Sequence, residues 1–92
     1  MNPGDRIAVV DGVMARQVGE QTVILDLASG TYFGLDSVGT FAWRLIEQGR
    51  SFEEICADVF AAFEAPREQI ERDLAELVGR LEEKKLVRLQ PD

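Results

Sequence analysis

Residues 21–39 read QTVILDLASGTYFGLDSVG and contain the change of pattern that decides the fold. Residues 21–28 are rich in β-branched and apolar side chains, with the alternation expected of a strand. Ser29 and Gly30 are typical of a two-residue hairpin loop, because glycine tolerates the positive φ that such turns require. Residues 31–35 are therefore predicted to form the returning strand of a hairpin.

After Asp36 the apolar spacing changes from a period of 2 to one of 3.6, which indicates helix. Asp36 or Ser37 is suited to cap the start of a first helix, and Gly49 to end it. The predicted apolar face of this helix comprises Val38, Phe41, Ala42, Leu45 and Ile46.

Two further helices are predicted downstream. Ser51 and Glu54 match the capping-box pattern, in which the two side chains bond each other's backbone amides. Ala65 and Pro66 separate the second helix from a third that extends to about Lys84. The predicted apolar stripes are Phe52, Ile55, Val59, Phe60 and Phe63 on the second helix, and Ile70, Leu74, Leu77, Val78 and Leu81 on the third.

Upstream of the hairpin, residues 13–18 predict a first strand that ends at the turn residues Gly19 and Glu20. The three strands then form an antiparallel meander, and residues 87–89 are suited to a short terminal strand. The predicted fold is a winged-helix-like α+β domain, with a three-stranded antiparallel sheet followed by three helices. Ninety-two residues are enough for one domain, residues 1–92, with its core at about 10–89.

The charge balance excludes several classes of partner. Seventeen acidic and ten basic residues give a net charge of -7, which opposes binding to nucleic acid or to an anionic membrane. The apolar runs are far shorter than the roughly 20 residues that span a bilayer. With a single cysteine and no apparent signal peptide, the expected location is the reducing cytoplasm.

The composition also argues against catalysis. The chain has no histidine, which removes the commonest general base and the commonest metal ligand. Cys56 lies beside the apolar stripe of the second helix and is interpreted as a structural residue. The acidic pairs Glu53-Glu54 and Glu82-Glu83 are sequence neighbours on solvent-facing helix positions, so they do not converge on one site. We therefore expect a protein that is not an enzyme, with no cofactor and no metal.

A winged-helix DNA-binding regulator is the first alternative. Its recognition helix would need a basic exposed side. The exposed positions of the third helix are instead mixed and net acidic, with Glu68, Glu71, Glu76, Glu82 and Glu83 beside Arg67, Arg72 and Arg80. We therefore expect no nucleic acid as a partner.

The third strand provides a more specific feature. If residues 31–35 pair only with residues 21–28, their other edge carries unpaired amides and carbonyls, and Thr31-Tyr32-Phe33-Gly34 holds neither charge nor proline to protect it. Beside an amphipathic helix, such an edge is a suitable receptor for an extended peptide. Asp73, Arg80 and Lys84 on one margin of the third helix could then contact peptide charges. Two alternatives remain: Tyr32 and Phe33 are ordinary core residues with the edge covered by the N-terminus, or the edge pairs with a second copy.

The sequence resembles the PqqD-like family over about residues 10–89. The resemblance is carried by LDLASGTYFGLDSVG at residues 25–39, followed by Phe41, Ala42, Trp43, Leu45 and Ile46. The capped second helix at residues 51–55, Asp73-Leu74 and Leu86-Val87 continue it. The family usually has asparagine near Asp36, a departure that preserves the capping role.

The resemblance implies a non-catalytic recognition element for ribosomally made, post-translationally modified peptides. Such domains bind the leader segment of a precursor as an added strand, between the third strand and the third helix, and present the precursor to a modifying enzyme. The residues that this places in the leader-binding site are Thr31, Tyr32, Phe33, Gly34, Ile70, Asp73, Leu74, Leu77, Arg80 and Leu81.

Within the family, the sequence pattern of residues 25–43 is more similar to that of free-standing members from lasso-peptide clusters than to that of the quinone-cofactor members that work with a radical-SAM enzyme. That similarity implies a separate leader peptidase as partner. Because an unpaired strand edge can pair with its own copy, we expect a monomer or weak dimer. The alternative is a peptide chaperone for a radical-SAM enzyme in quinone-cofactor biosynthesis.

Overall fold

The computed structural model describes residues 1–91. Its elements in chain order are β1 (Arg6–Val9), β2 (Val13–Val18), β3 (Gln21–Asp26), β4 (Tyr32–Leu35), α1 (Ser37–Glu47), α2 (Phe52–Ala62), α3 (Arg67–Glu83) and β5 (Val87–Gln90). The predicted class is confirmed, because an antiparallel three-stranded sheet of order β2-β3-β4 precedes three helices. Within the described residues, no helix combines the length and apolar composition needed to cross a membrane.

The hairpin between β3 and β4 is wider than the sequence predicted. The strands end at Asp26 and resume at Tyr32, so the connection is longer than the expected two residues. The Asp26 side chain explains the difference, since its carboxylate accepts the Ala28 N–H at 3.1 Å and the Ser29 hydroxyl at 2.8 Å. Gly30 has φ +74 and closes the loop by donating its N–H to the Asp26 carbonyl at 2.8 Å.

A second, two-stranded sheet joins the chain ends. β1 pairs antiparallel with β5, with Ile7 opposite Leu89. β5 confirms the expected terminal strand, whereas β1 was not predicted. Ile7 is buried, so the packed core begins upstream of the predicted limit at residue 10. Because the N-terminus pairs with β5, it does not cover β4, which removes one alternative for that edge.

The helix ends follow the predicted caps. The Asp36 carboxylate accepts the Gly39 N–H at 2.8 Å, so Asp36 rather than Ser37 caps α1. Ser51 and Glu54 form the full capping box at the start of α2. The first amides of α2 are also satisfied by the N-terminal segment, since Phe52 donates its N–H to the Asp5 carbonyl at 2.8 Å.

The core lies between the three helices and the inner faces of the two sheets. Its most deeply buried side chains are Ile7, Ile24, Val59, Leu81, Leu86, Val87 and Cys56. The predicted stripe of α2 is wrong at Phe60, which is exposed and lies 5.7 Å from the Arg67 guanidinium. Cys56 occupies the buried position instead, because the core-facing side of α2 is centred on Ile55, Cys56 and Val59.

Candidate functional site

A cleft of about 450 Å³ opens between β4, the first turn of α1 and the middle of α3. It exists because β4 and α3 both pack on α1 but make few direct contacts with each other. Its lining comprises Phe33, Gly34, Leu35, Asp36, Val38, Gly39, Asp73, Leu74, Glu76, Leu77 and Arg80. The cleft therefore adjoins the edge strand that the sequence identified.

The edge of β4 presents the backbone of two residues to the solvent. Asp26 donates its N–H to the Thr31 carbonyl at 2.8 Å, and the β3–β4 register continues from that pair. In an antiparallel ladder, hydrogen-bonded and non-bonded pairs alternate, so Phe33 and Leu35 direct their backbone groups toward β3. The N–H and C=O groups of Tyr32 and Gly34 consequently point outward, away from β3.

The walls of the cleft are apolar. Phe33, Val38 and Leu77 are half-buried beside it, and Leu74 and Leu35 are almost fully buried behind them. Side chains of this kind leave apolar surface accessible to a ligand while the core beneath stays closed. A peptide side chain inserted here would gain about 25 cal/mol for each Å² of apolar area removed from water.

The mouth of the cleft carries an excess of negative charge. Asp73 and Glu76 line it with one cation, Arg80, whose guanidinium forms a 2.8 Å ion pair with Glu76. Asp36 also lines the cleft, but one of its carboxylate oxygens is engaged in capping α1. The charge balance at this mouth favours a ligand with basic groups.

Gly39 permits the close approach of α1 to β4. A Cβ at this position would lie 3.2 Å from the Leu35 Cβ and 3.3 Å from the capping Asp36 oxygen. A larger residue would require the Leu35 side chain or the capping Asp36 carboxylate to shift slightly.

The structure separates the predicted site residues into four groups. Phe33, Gly34, Asp73, Leu74, Leu77 and Arg80 line the cleft together. Ile70 and Leu81 are 5% and 0% exposed, so they belong to the core beneath α3 and not to the lining. Tyr32 lies on the open edge with 71% of its surface exposed.

Thr31 forms the fourth group, because its backbone is already used inside the hairpin. Its N–H bonds the Ser29 hydroxyl at 3.2 Å and its carbonyl bonds the Asp26 N–H. The cleft also holds residues that sequence reasoning missed, namely Leu35, Asp36, Val38, Gly39 and Glu76. The sequence contained a signal for the four that lie at the junction of β4 and α1, because a helix capped directly after β4 must place its first turn beside that strand. These four are Leu35, Asp36, Val38 and Gly39.

Groups capable of other chemistry lie away from the cleft. Burial raises the pKa of the Cys56 thiol to about 11, with a smaller contribution from the Glu71 carboxylate. A thiol of that pKa stays protonated at neutral pH and is a poor nucleophile. Within residues 1–91, no three histidine, cysteine or acidic side chains come together in a way that could hold a metal ion.

Residues 21–87 match the family described as coenzyme PQQ synthesis protein D, PqqD. This chain belongs to the PqqD family. The match covers most of the chain, and it begins at β3 and ends in β5, so it includes every element of the cleft. The resemblance expected from residues 25–46 is thereby confirmed. No curated protein sequence matches this PqqD-family chain.

Two solved structures share the fold of this PqqD-family chain. TbiB1 in complex with the TbiA(beta) leader peptide is 36% identical, with a TM-score of 0.84 over 92% of this chain and 99% of that one. A lasso peptide synthetase B1 complexed with the leader peptide is 24% identical, with a TM-score of 0.82 over 90% of this chain and 98% of that one. The second supports the fold alone, and both span nearly the whole domain.

Proposed function

We propose that this protein binds the leader segment of a ribosomally made precursor peptide and presents the precursor to a processing enzyme. The leader adds to the sheet as a fourth strand along the edge of β4. The observation that carries this proposal is the outward direction of the Tyr32 and Gly34 backbone groups beside an apolar cleft. Strand addition at an exposed edge is an established mode of peptide recognition.

The edge of β4 and the apolar walls of the cleft make different contributions to recognition. Backbone bonds to Tyr32 and Gly34 give affinity that tolerates changes in peptide sequence. An added strand places alternate side chains on opposite faces, so every second leader residue points toward α3. Apolar leader side chains then contact Phe33, Val38 and Leu77, which supply the selectivity.

We favour lasso-peptide biosynthesis as the pathway, because residues 25–43 resemble those of free-standing members from lasso-peptide clusters. TbiB1, which was solved with a leader peptide, is 36% identical over nearly the whole domain. The expected partner is then a leader peptidase that acts on the presented precursor. The alternative, a peptide chaperone for a radical-SAM enzyme in quinone-cofactor biosynthesis, rests on the name of the matching family.

The proposed role is non-catalytic and requires no cofactor. The chain has no histidine, and its one thiol is buried with a raised pKa. The acidic exposed side of α3 and the net charge of -7 disfavour DNA, whose binding depends on neutralised phosphates. The single buried cysteine fits action in the reducing cytoplasm.

Fluorescence polarisation tests the proposal directly. A labelled leader peptide, taken from the precursor gene beside this one, is titrated with the protein, and a labelled DNA duplex is titrated in parallel. We expect saturable leader binding and an inert duplex. Duplex binding that weakens steeply with salt, together with an inert leader, would instead identify a DNA-binding regulator.

Amide chemical-shift mapping locates the bound leader. We expect the largest shifts at residues 32–34, 38–39 and 73–80, because these line the edge and the cleft. Shifts confined to β1 and β5 would place the peptide on the other sheet and contradict the proposed site.

A further inference from the structure

The face of the three-stranded sheet that points away from the helices carries an exposed apolar surface. Ile24 and Thr22 are buried on the inner face, so their strand neighbours Val23 and Leu25 project to the outer one. We define the outer sheet face by the outward residues of the three strands, Met14, Arg16, Val18, Gln21, Val23, Leu25, Tyr32 and Gly34.

Apolar exposure in this protein is concentrated on that sheet. Seven large hydrophobic residues are exposed among the described ones, and five of them lie on the outer sheet face or its hairpin: Met14, Val18, Val23, Leu27 and Tyr32. The register puts Met14, Leu25 and Tyr32 in one row across the three strands. A contiguous apolar patch of this kind is typical of a protein interaction surface.

The charge of the outer sheet face differs from that of the whole protein. Although the chain carries a net charge of -7, Arg16 is the one charged side chain among the eight outward strand residues. Arg16 lies opposite Val23 and between Met14 and Val18, in the middle of the apolar surface. The complementary partner surface is therefore apolar with a carboxylate that pairs with Arg16.

Arg16 and the net negative charge of the chain disfavour two other occupants of the outer sheet face. A second copy related by a two-fold axis through this face would bring Arg16 near its own counterpart, and both chains are strongly acidic. An anionic lipid surface is repelled by the overall negative charge. A different protein of suitable charge meets neither obstacle.

The outer sheet face is continuous with the edge of β4, and this continuity identifies the partner. An added strand directs alternate side chains toward α3 and the remaining ones outward, beside Tyr32. We propose, resting on the leader-binding function above, that the outer sheet face is the docking surface for the processing enzyme. The outward side chains of the bound leader form part of that surface, so the enzyme contacts both protein and leader.

The test separates docking from leader binding. Arg16→Glu and Met14→Glu alter the outer sheet face at exposed positions. Arg88→Glu on β5 and Phe60→Glu on α2 are matched controls, since both residues are exposed and lie elsewhere. For each variant, leader affinity is measured by fluorescence polarisation. The rate of leader removal is measured by mass spectrometry, with the purified leader peptidase of the same gene cluster as the probe.

We expect all four variants to bind leader within about twofold of the original protein, since none alters the cleft. The two outer-face variants should slow leader removal by about tenfold or more, as expected for residues central to an interface, while the controls leave it unchanged. Unchanged removal by both outer-face variants would overturn the docking surface but not leader binding. A failure of the unaltered protein to bind leader would overturn the proposed function itself.

Light scattering at two protein concentrations tests whether a second copy of the chain occupies the outer sheet face. We expect the same mass for the unaltered protein and for Arg16→Glu. A dimer that dissociates in the outer-face variants would assign the surface to self-association and overturn the proposal.

Discussion

The backbone N–H of Asp26 donates a 2.8 Å hydrogen bond to the carbonyl oxygen of Thr31, and this pair sets the alternation along β4. Because bonded pairs recur every second residue, Phe33 and Leu35 face β3, whereas Tyr32 and Gly34 face outward. The hairpin loop thus determines which two residues are available to an added strand. A loop one residue longer or shorter would direct the backbone groups of Phe33 and Leu35 outward and those of Tyr32 and Gly34 toward β3.

Truncating the half-buried wall of the cleft should weaken leader binding while the protein stays folded. In Leu77→Ala, we expect a loss of about 1 kcal/mol in binding, or roughly fivefold in Kd, because apolar area that the leader covers is removed. Polarisation gives the Kd, and circular dichroism checks the fold. Leu74→Ala is the contrasting variant, since its buried side chain costs about 2–5 kcal/mol of folding stability. Unchanged binding by Leu77→Ala would place the leader outside this cleft.

Reversing the charge at the cleft mouth should weaken the binding of a leader with basic groups. For Asp73→Lys we expect a several-fold increase in Kd at low salt, in line with about 0.2–1 kcal/mol for an exposed ion pair. The difference should shrink as salt is added, because exposed charges are screened. Glu83→Lys on the same helix is the control, since Glu83 is exposed and does not line the cleft. An equal increase in Kd for both variants would mean that the net negative charge of the whole domain attracts the leader, and not Asp73 in particular.

The buried thiol should make stability depend on pH in the alkaline range. The pKa of the Cys56 thiol is about 11 in the folded protein, against 9.0 for an exposed thiol, mainly because of burial. The unfolded chain therefore loses the proton first, and the free energy of unfolding falls as pH rises from about 9 toward 11.

Urea unfolding at pH 8 and pH 10 measures this effect, with Cys56→Ala as the control for other titrating groups. The original protein should lose more stability between the two pH values than the variant does. An identical loss in both would show that the thiol ionises equally in the folded and unfolded states.

Removing the capping box should affect stability and leave recognition intact. Ser51→Ala deletes the hydroxyl that accepts the Glu54 N–H at 3.2 Å and should lower the free energy of unfolding by about 1 kcal/mol. Ser37→Ala is a suitable control, because Ser37 is exposed and follows the residue that caps α1. Urea unfolding at pH 7 gives the stability, and leader affinity should stay the same. A large loss of affinity would mean that α2 contributes to the site.

The same box predicts a dependence on acid. Hydrogen bonds from the Ser51 backbone and side chain lower the pKa of the Glu54 carboxyl. Its contribution to stability is present above the ordinary pKa of 4.5 and is lost as pH falls through the lowered value. Glu54→Gln, which cannot titrate, should therefore show a weaker decrease in stability below pH 4.5 than the original protein.

The sequence predicted the elements that local patterns specify. The alternation in residues 21–28, the turn glycines and the capping residues Asp36 and Ser51 are local signals, and the structure contains the strands and helices they indicate. The edge of β4 and its neighbour α3 could be identified for the same reason. The half-buried wall residues Leu77 and Phe33 then followed from their positions on those elements.

Long-range pairing and fine orientation could not be predicted in this way. β1 has four residues and is stabilised by β5, its partner about eighty positions along the chain, so no local signal identifies it. The exposure of Phe60 depends on how α2 is rotated against its neighbours, since Cys56 fills the core instead. Thr31 is not available as a backbone partner for the leader, because its carbonyl belongs to the wide hairpin that Asp26 stabilises.

The most direct test of strand addition is the leader affinity of Gly34→Pro compared with Gly34→Ala. Proline removes the Gly34 N–H, which points outward and makes no ladder bond to β3, so the sheet itself is retained. A Cβ at this position meets no atom within 4 Å, so alanine is accommodated and keeps the N–H. We predict that Gly34→Pro raises the Kd of the labelled leader by at least about tenfold, while Gly34→Ala stays within about twofold. Equal, tight binding by both variants would contradict the addition of the leader to β4.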